Sequence, residues 1–199
     1  MIPGQRVRLR RIERADLPRF VEWLNDPELR DHLAAIYPLS QAQEEQWFES
    51  MLRQEPTQQP FAIDARLKPK TEAWTLVGTI SFHSVDWRHR TAELGLFIGP
   101  RELWGKGFGT DAMRALVAFA FQELNLHRVW LRVYEENTRA RRSYEKVGFV
   151  VEGRLRQDRF HGGRYTDTLV MGLLREEWHE GEDARGGSSR SGTRASTET

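Results

Sequence analysis

The sequence predicts an α/β protein: one mixed, mostly antiparallel central sheet with helices on both faces. Three observations carry this. Several runs alternate apolar and polar residues, as in Arg6-Val7-Arg8-Leu9-Arg10 and Arg128 to Tyr134, which is the period of a half-buried strand. Other runs place apolar residues at helical spacing, as with Leu17, Phe20, Val21 and Leu24. The third is a glycine-rich turn at Trp104 to Thr110. It joins a strand-like run to a long apolar helix and implies one parallel crossover in an otherwise antiparallel sheet.

In chain order, Arg6 to Arg10 reads as the first strand. Asp16 is placed as the N-cap of a helix running to about Asn25. Ser40 and Gln43 form a capping box at the start of a second helix, with Trp47, Phe48 and Met51 as its apolar stripe. Strands follow at Phe61 to Ala65, Trp74 to Asp86 and Thr91 to Ile98, with a hairpin loop between Arg66 and Glu72. After the glycine-rich turn comes a helix to about Leu124, then the strand Arg128 to Tyr134. A short helix, Thr138 to Lys146, ends at Gly148. Phe149 to Phe160 and Arg164 to Leu174 flank His161-Gly162-Gly163, a hairpin turn signal.

The chain has 199 residues, enough for one domain with a real core. Its end is different in kind. Residues 181–199 hold eleven Gly, Ser or Thr and only two apolar residues, both alanine. Such a segment buries too little surface to offset its ordering entropy, so a domain over 1–180 and a disordered tail over 181–199 are expected. With 30 basic and 29 acidic residues the net charge is +1, which gives no electrostatic case for nucleic acid. No apolar run approaches the length of a membrane span and no signal peptide is evident, so neither a membrane nor export is expected and the reading is cytoplasmic. There is no cysteine, hence no disulfide, thiolate zinc site or cysteine nucleophile. The six histidines show no metal-ligand spacing, and no metal is assigned.

Trp104-Gly105-Lys106-Gly107-Phe108-Gly109-Thr110 is the most informative stretch. A strand, a glycine-rich turn and a helix N-terminus together cradle a pyrophosphate, because the backbone can approach closely and offers free N–H groups. Spacing excludes two common forms. Five residues, not four, separate Gly99 from Gly105, and Gly107 rather than Ser or Thr follows Lys106, so the triphosphate loop fails. Thr110 stands where the dinucleotide fingerprint needs its third glycine.

The segment resembles instead the acetyl-CoA motif of the GCN5-related N-acetyltransferases (GNAT), Gln/Arg-x-x-Gly-x-Gly/Ala, with Trp104 departing at its first position. A second block, Asn137-Thr138-Arg139-Ala140 and Tyr144 to Phe149, is similar to that family's Asn-x-x-Ala-x-x-x-Tyr-x-Lys-x-Gly-Phe. The long C-terminal hairpin looks most like the RimJ/RimL branch. The resemblance covers about residues 6–178.

What the resemblance implies is acetyl transfer from acetyl-CoA to a primary amine, by direct attack in a ternary complex. The pyrophosphate is assigned to the backbone of Gly105, Lys106, Gly107, Phe108 and Gly109, helped by the Thr110 hydroxyl. The backbone of Leu96, Phe97 and Ile98 is expected to pair with pantetheine as an added strand. Asn137 and Tyr144, seven apart on a helix, share a face with Ala140 close by. Tyr144 is assigned as general acid toward the departing sulfur, and Glu93 as a base acting through water. Arg139 and Lys146 are placed near the phosphates of CoA. Against these stand plainer readings: Tyr144 as a packing aromatic, Asn137 as an N-cap only, Glu93 as an ion-paired carboxylate, and Arg141 and Arg142 as a solvated face. His83 and His89 are possible helpers of the base. The acceptor, a small-molecule amine or a protein N-terminus, should meet the stretch Leu29 to Pro38, with Asp31, His32 and Tyr37, and the last hairpin. A homodimer is compatible with the family. The competing function is a non-catalytic acyl-CoA-binding regulatory domain.

Overall fold

The computed structural model describes residues 1–33, 36–68 and 72–179. The tail expected over 181–199 lies outside the described residues. Eight strands make one sheet: β1 (Ile2–Pro3), β2 (Val7–Arg11), β3 (Phe61–Ala65), β4 (Thr75–Asp86), β5 (Thr91–Ile98), β6 (Arg128–Tyr134), β7 (Val150–His161) and β8 (Arg164–Leu174). Their order is β1-β2-β3-β4-β5-β6-β8-β7. Every pairing is antiparallel except β5–β6. Among the described residues the α-helices are α1 (Leu17–Leu24), α2 (Pro27–Arg30), α3 (Gln41–Met51), α4 (Phe108–Gln122) and α5 (Thr138–Glu145).

Strand alternation sends side chains to two cores. Ile63 and Ala65 join the larger one with α4 and Tyr144 of α5, while their neighbour Ala62 joins the smaller one with α1 and α3. Helices therefore lie on both faces, as the sequence predicts. Met113, Leu116, Val117, Ala120 and Phe121 of α4 are buried, because they repeat at helical spacing along one stripe.

Several local expectations change. Asp16 stands at the N-terminus of α1, but its carboxylate makes no cap bond to that helix. It accepts from the Glu13 N–H at 2.8 Å and pairs with Arg10, so it caps the preceding 3-10 turn and ties it to β2. Ser40 and Gln43 do form their capping box. Trp47 is 38% exposed and stands off the buried stripe, which Glu44, Phe48 and Met51 form. The β7–β8 turn holds Gly162 and Gly163 at positive φ, the conformation a tight hairpin requires.

The N-terminus of α4 is held from β2. Asp111 accepts from the backbone N–H groups of Gln5, Arg6 and Val7 at 3.0, 2.7 and 3.0 Å. Three charge-assisted bonds on one carboxylate fix the strand against the first turn of the helix. Asp111→Ala is expected to lower stability by about 2 kcal/mol, since it strands three donors at once. Urea denaturation should show a lower midpoint at unchanged slope; an unchanged midpoint would remove this anchor.

Candidate active site

The parallel ladder is short. It pairs Thr91, Ala92 and Glu93 with Arg128, Val129 and Trp130 and then stops. Beyond it β5 stays bound to β4 up to Ile98, and β6 stays bound to β8 up to Tyr134. Each strand therefore turns an unpaired inner edge to a wedge, with Glu93 at its fork. Gly99 N–H donates to Val77 C=O at 2.9 Å. By alternation the backbone groups of Leu96 and Ile98 face the wedge, and those of Phe97 face β4. The Phe97 side chain packs on the α1–α3 core.

The wedge opens into a cleft of about 1360 Å³. One wall is the α4 N-terminus. Gly107 is its N-cap at φ +88°, Gly105 precedes it at φ +72°, and no heavy atom lies within 4 Å of a Cβ built on either. Only glycine takes this backbone freely, and the loop is left bare on its open side. The first-turn N–H groups of Phe108, Gly109 and Thr110 have no partner within the helix. The Phe108 ring is buried in the core beneath the Arg6 guanidinium, which leaves its backbone for the cleft. Thr110 Oγ1 lies 2.7 Å from Ser143 Oγ, so the hydroxyl ties α4 to α5.

The opposite wall is α5. Asn137 caps it, accepting from the Ala140 N–H at 3.1 Å, and both residues line the cleft. Tyr144 is 8% exposed, lies edge-on to Phe149 and lines the cleft. Burial pushes its hydroxyl up to about 12, so the phenol stays protonated at neutral pH. Lys146 is exposed at the end of α5 and borders the cleft. Lys106 is exposed, and its carbonyl accepts from Arg6 at 3.2 Å.

Trp104, the departure from the family motif, takes part through its side chain. Its indole Nε1 donates to Ile98 C=O at 2.7 Å, closing one acceptor on the wedge edge. The Arg139 guanidinium sits 3.7 Å above the same ring, and His32 meets it edge-on. Burial pulls Arg139 below the ordinary arginine value. Burial, and then the Arg139 charge, lowers His32 from 6.5. Among the described residues the Arg139 guanidinium has no hydrogen-bond acceptor. An unpaired planar cation beside a bare helix N-terminus suits phosphate oxygens.

Glu93 is 9% exposed, and its Oε1 accepts from Arg132 Nε at 2.9 Å. Sequence reasoning missed Arg132: it lies on the strand across the fork, and only the tertiary structure makes them neighbours. His83 lines the cleft, whereas His89 belongs to the β4–β5 turn, where its N–H donates to Asp86. Asp31 is engaged by the hairpin tip. Its carbonyl accepts from Arg159, and its Oδ1 lies 3.1 Å from His161 Nε2. Tyr37 is 83% exposed at the cleft edge. Among the described residues no group of three or more His, Asp or Glu could hold a metal ion.

A splayed parallel pair, a glycine-bared helix N-terminus at one side and a protonated tyrosine at the other make a cleft suited to an elongated phosphate-bearing ligand such as CoA. The chain belongs to the GNAT acetyltransferase family: residues 6–150 match its acetyltransferase (GNAT) domain. The chain is 30% identical over 176 residues to an uncharacterized N-acetyltransferase, p20, of Bacillus licheniformis, covering 87% of this chain and 96% of that one. It is 40% identical over 108 residues to YdaF of Bacillus subtilis strain 168, provisionally named a ribosomal N-acetyltransferase. That match spans 54% of this chain and only 58% of YdaF. The crystal structure of spermidine N-acetyltransferase from Vibrio cholerae, in complex with CoA and spermine, superposes with a TM-score of 0.76. It has 28% identity and covers 87% of this chain and 98% of that one.

Proposed function

We propose that the protein transfers an acetyl group from acetyl-CoA to a primary amine of a small cationic molecule, by direct attack in a ternary complex. The observation that carries this is the wedge. It presents the backbone groups of Leu96, the N–H of Ile98, the α4 N-terminus and Tyr144 to one elongated ligand. Acetyl-CoA supplies the thioester and the leaving thiol. The backbone N–H groups of Gly105 to Thr110 and the Arg139 guanidinium hold its phosphates. Pantetheine extends along β5 as an added strand. An N–H on the wedge edge of β5 polarises the thioester carbonyl. Glu93, with Oε1 fixed by Arg132, takes the amine proton through water, and Tyr144 gives its proton to the departing sulfur. No acyl-cysteine can form, because the chain has no cysteine.

The small-amine acceptor is favoured over a protein N-terminus by the likeness to the spermidine enzyme. The RimJ/RimL branch and a cytoplasmic location belong to the same reading. The branch is supported by the long β7–β8 hairpin and the YdaF match. Among the described residues no helix is long and apolar enough to cross a membrane.

An amine-acceptor panel followed by free CoA release tests the activity. Release should require both acetyl-CoA and a primary amine. Tight acetyl-CoA binding with no turnover on any amine would replace this reading with a binding domain.

A further inference from the structure

Glu44 is the odd residue in the cleft wall. It lies in the first turn of α3, faces inward and is 5% exposed. Its neighbour Glu45 and the next-turn Glu49 face outward and pair with Arg14. Among the described residues Glu44 makes no side-chain hydrogen bond and no ion pair. Phe20, Leu24, Leu39 and Trp47 are among the residues that line the cleft with it, and the carboxylate is withdrawn from water with no charged partner. The same cleft contains Glu93 and Tyr144.

A carboxylate taken from water without a partner is costly. The cost falls when a cation arrives, because the pair then gains its Coulomb energy in a medium of low dielectric. Trp47, at the rim, adds an aromatic face that an ammonium can approach. The reacting centre already has its own carboxylate at the fork, so Glu44 is free for another part of the acceptor.

We propose that Glu44 is an acceptor-binding carboxylate. It pairs with a cationic group carried at a distance from the amine that reacts, and so selects diamines and other dications over monoamines. The inference rests on the acetyltransferase reading for the identity of the acceptor. Burial alone raises the free carboxyl to about 7, so near neutrality much of it is protonated until a cation binds.

The test is calorimetric titration of the CoA-loaded protein at pH 6 with 1,5-diaminopentane and with pentylamine. In the wild type the diamine should bind at least tenfold more tightly. Its binding should release protons beyond any released by pentylamine, read by repeating both titrations in two buffers of different ionisation enthalpy. Glu44→Gln should abolish both the preference and the excess proton release while keeping pentylamine and CoA affinity. A preference that survives Glu44→Gln, or a wild type that does not discriminate, overturns the proposal. The excess release from the wild type needs no variant, so a poorly folded Glu44→Gln leaves the test intact; diamine binding without that excess also overturns it. Diamine binding with these features but no CoA release from acetyl-CoA would sink the transferase reading and leave Glu44 as a dication site.

Discussion

Tyr144→Phe is expected to lower kcat about 100-fold and to change acetyl-CoA affinity less than twofold. The substitution removes one oxygen and keeps the ring that packs edge-on to Phe149, so the fold of α5 is preserved. What is lost is the proton for the leaving thiolate, and general acid catalysis is typically worth about 10²–10⁴ in rate. The environment suits the role. Burial pushes the phenol up to about 12, so the neutral, donating form persists through the working range. The sign follows: a raised acid keeps its proton below its pKa, so Tyr144 should cause no alkaline loss of rate below about pH 11. Steady-state CoA release and equilibrium binding of acetyl-CoA separate the two effects. Unchanged turnover would make Tyr144 a packing residue; a parallel loss of affinity would place it in donor binding instead.

Much of this fold was legible because strand and helix periods are local properties. Phe61–Ala65, Thr91–Ile98, Arg128–Tyr134 and Arg164–Leu174 have the bounds read from the sequence. The β1 strand, Ile2–Pro3, was not legible, since two residues carry no period. The α2 helix was missed although its signal is present: Asp26 accepts from Glu28 N–H as N-cap and Pro27 opens the turn. The wedge could not be read at all. Nothing within β5 or β6 says that their ladder stops after Glu93, because that depends on what the rest of the sheet does to each strand.

The candidate site divides in the same way. Gly105 to Thr110 and Asn137 to Tyr144 announce themselves, because backbone approach and helix spacing are written in residue type. Arg132, His32 and the stacking of Arg139 on Trp104 do not, since each depends on a neighbour distant in sequence. Glu44 lies between these cases. It stands four residues before Phe48 and seven before Met51, on the stripe that is buried, so a carboxylate on an apolar face was the readable sign.

Gly107→Val is expected to weaken acetyl-CoA binding at least 100-fold while leaving the sheet intact. The residue holds φ at +88° as the N-cap of α4. A β-branched side chain strongly disfavours that conformation, with a cost of about 1–2 kcal/mol or more. The space around a Cβ is empty, so no clash with the core is added, and the strain is confined to the loop. The loop can relieve it only by rotating the peptide groups next to Phe108, and those are the donors proposed for the pyrophosphate. If it does not rotate, the isopropyl group stands in the cleft beside them. Either response damages the same contact. Gly162→Val is the control, because Gly162 also has positive φ, at 58°, but lies in the β7–β8 turn away from the α4 N-terminus. It should cost comparable stability and leave acetyl-CoA affinity unchanged. Thermal melts with and without acetyl-CoA distinguish the two variants. Both variants should melt below the wild type by a similar amount, but Gly107→Val should lose the ligand-induced rise and Gly162→Val should keep it. A retained rise in Gly107→Val would mean that the phosphates are held elsewhere, and the pyrophosphate assignment would fall with it.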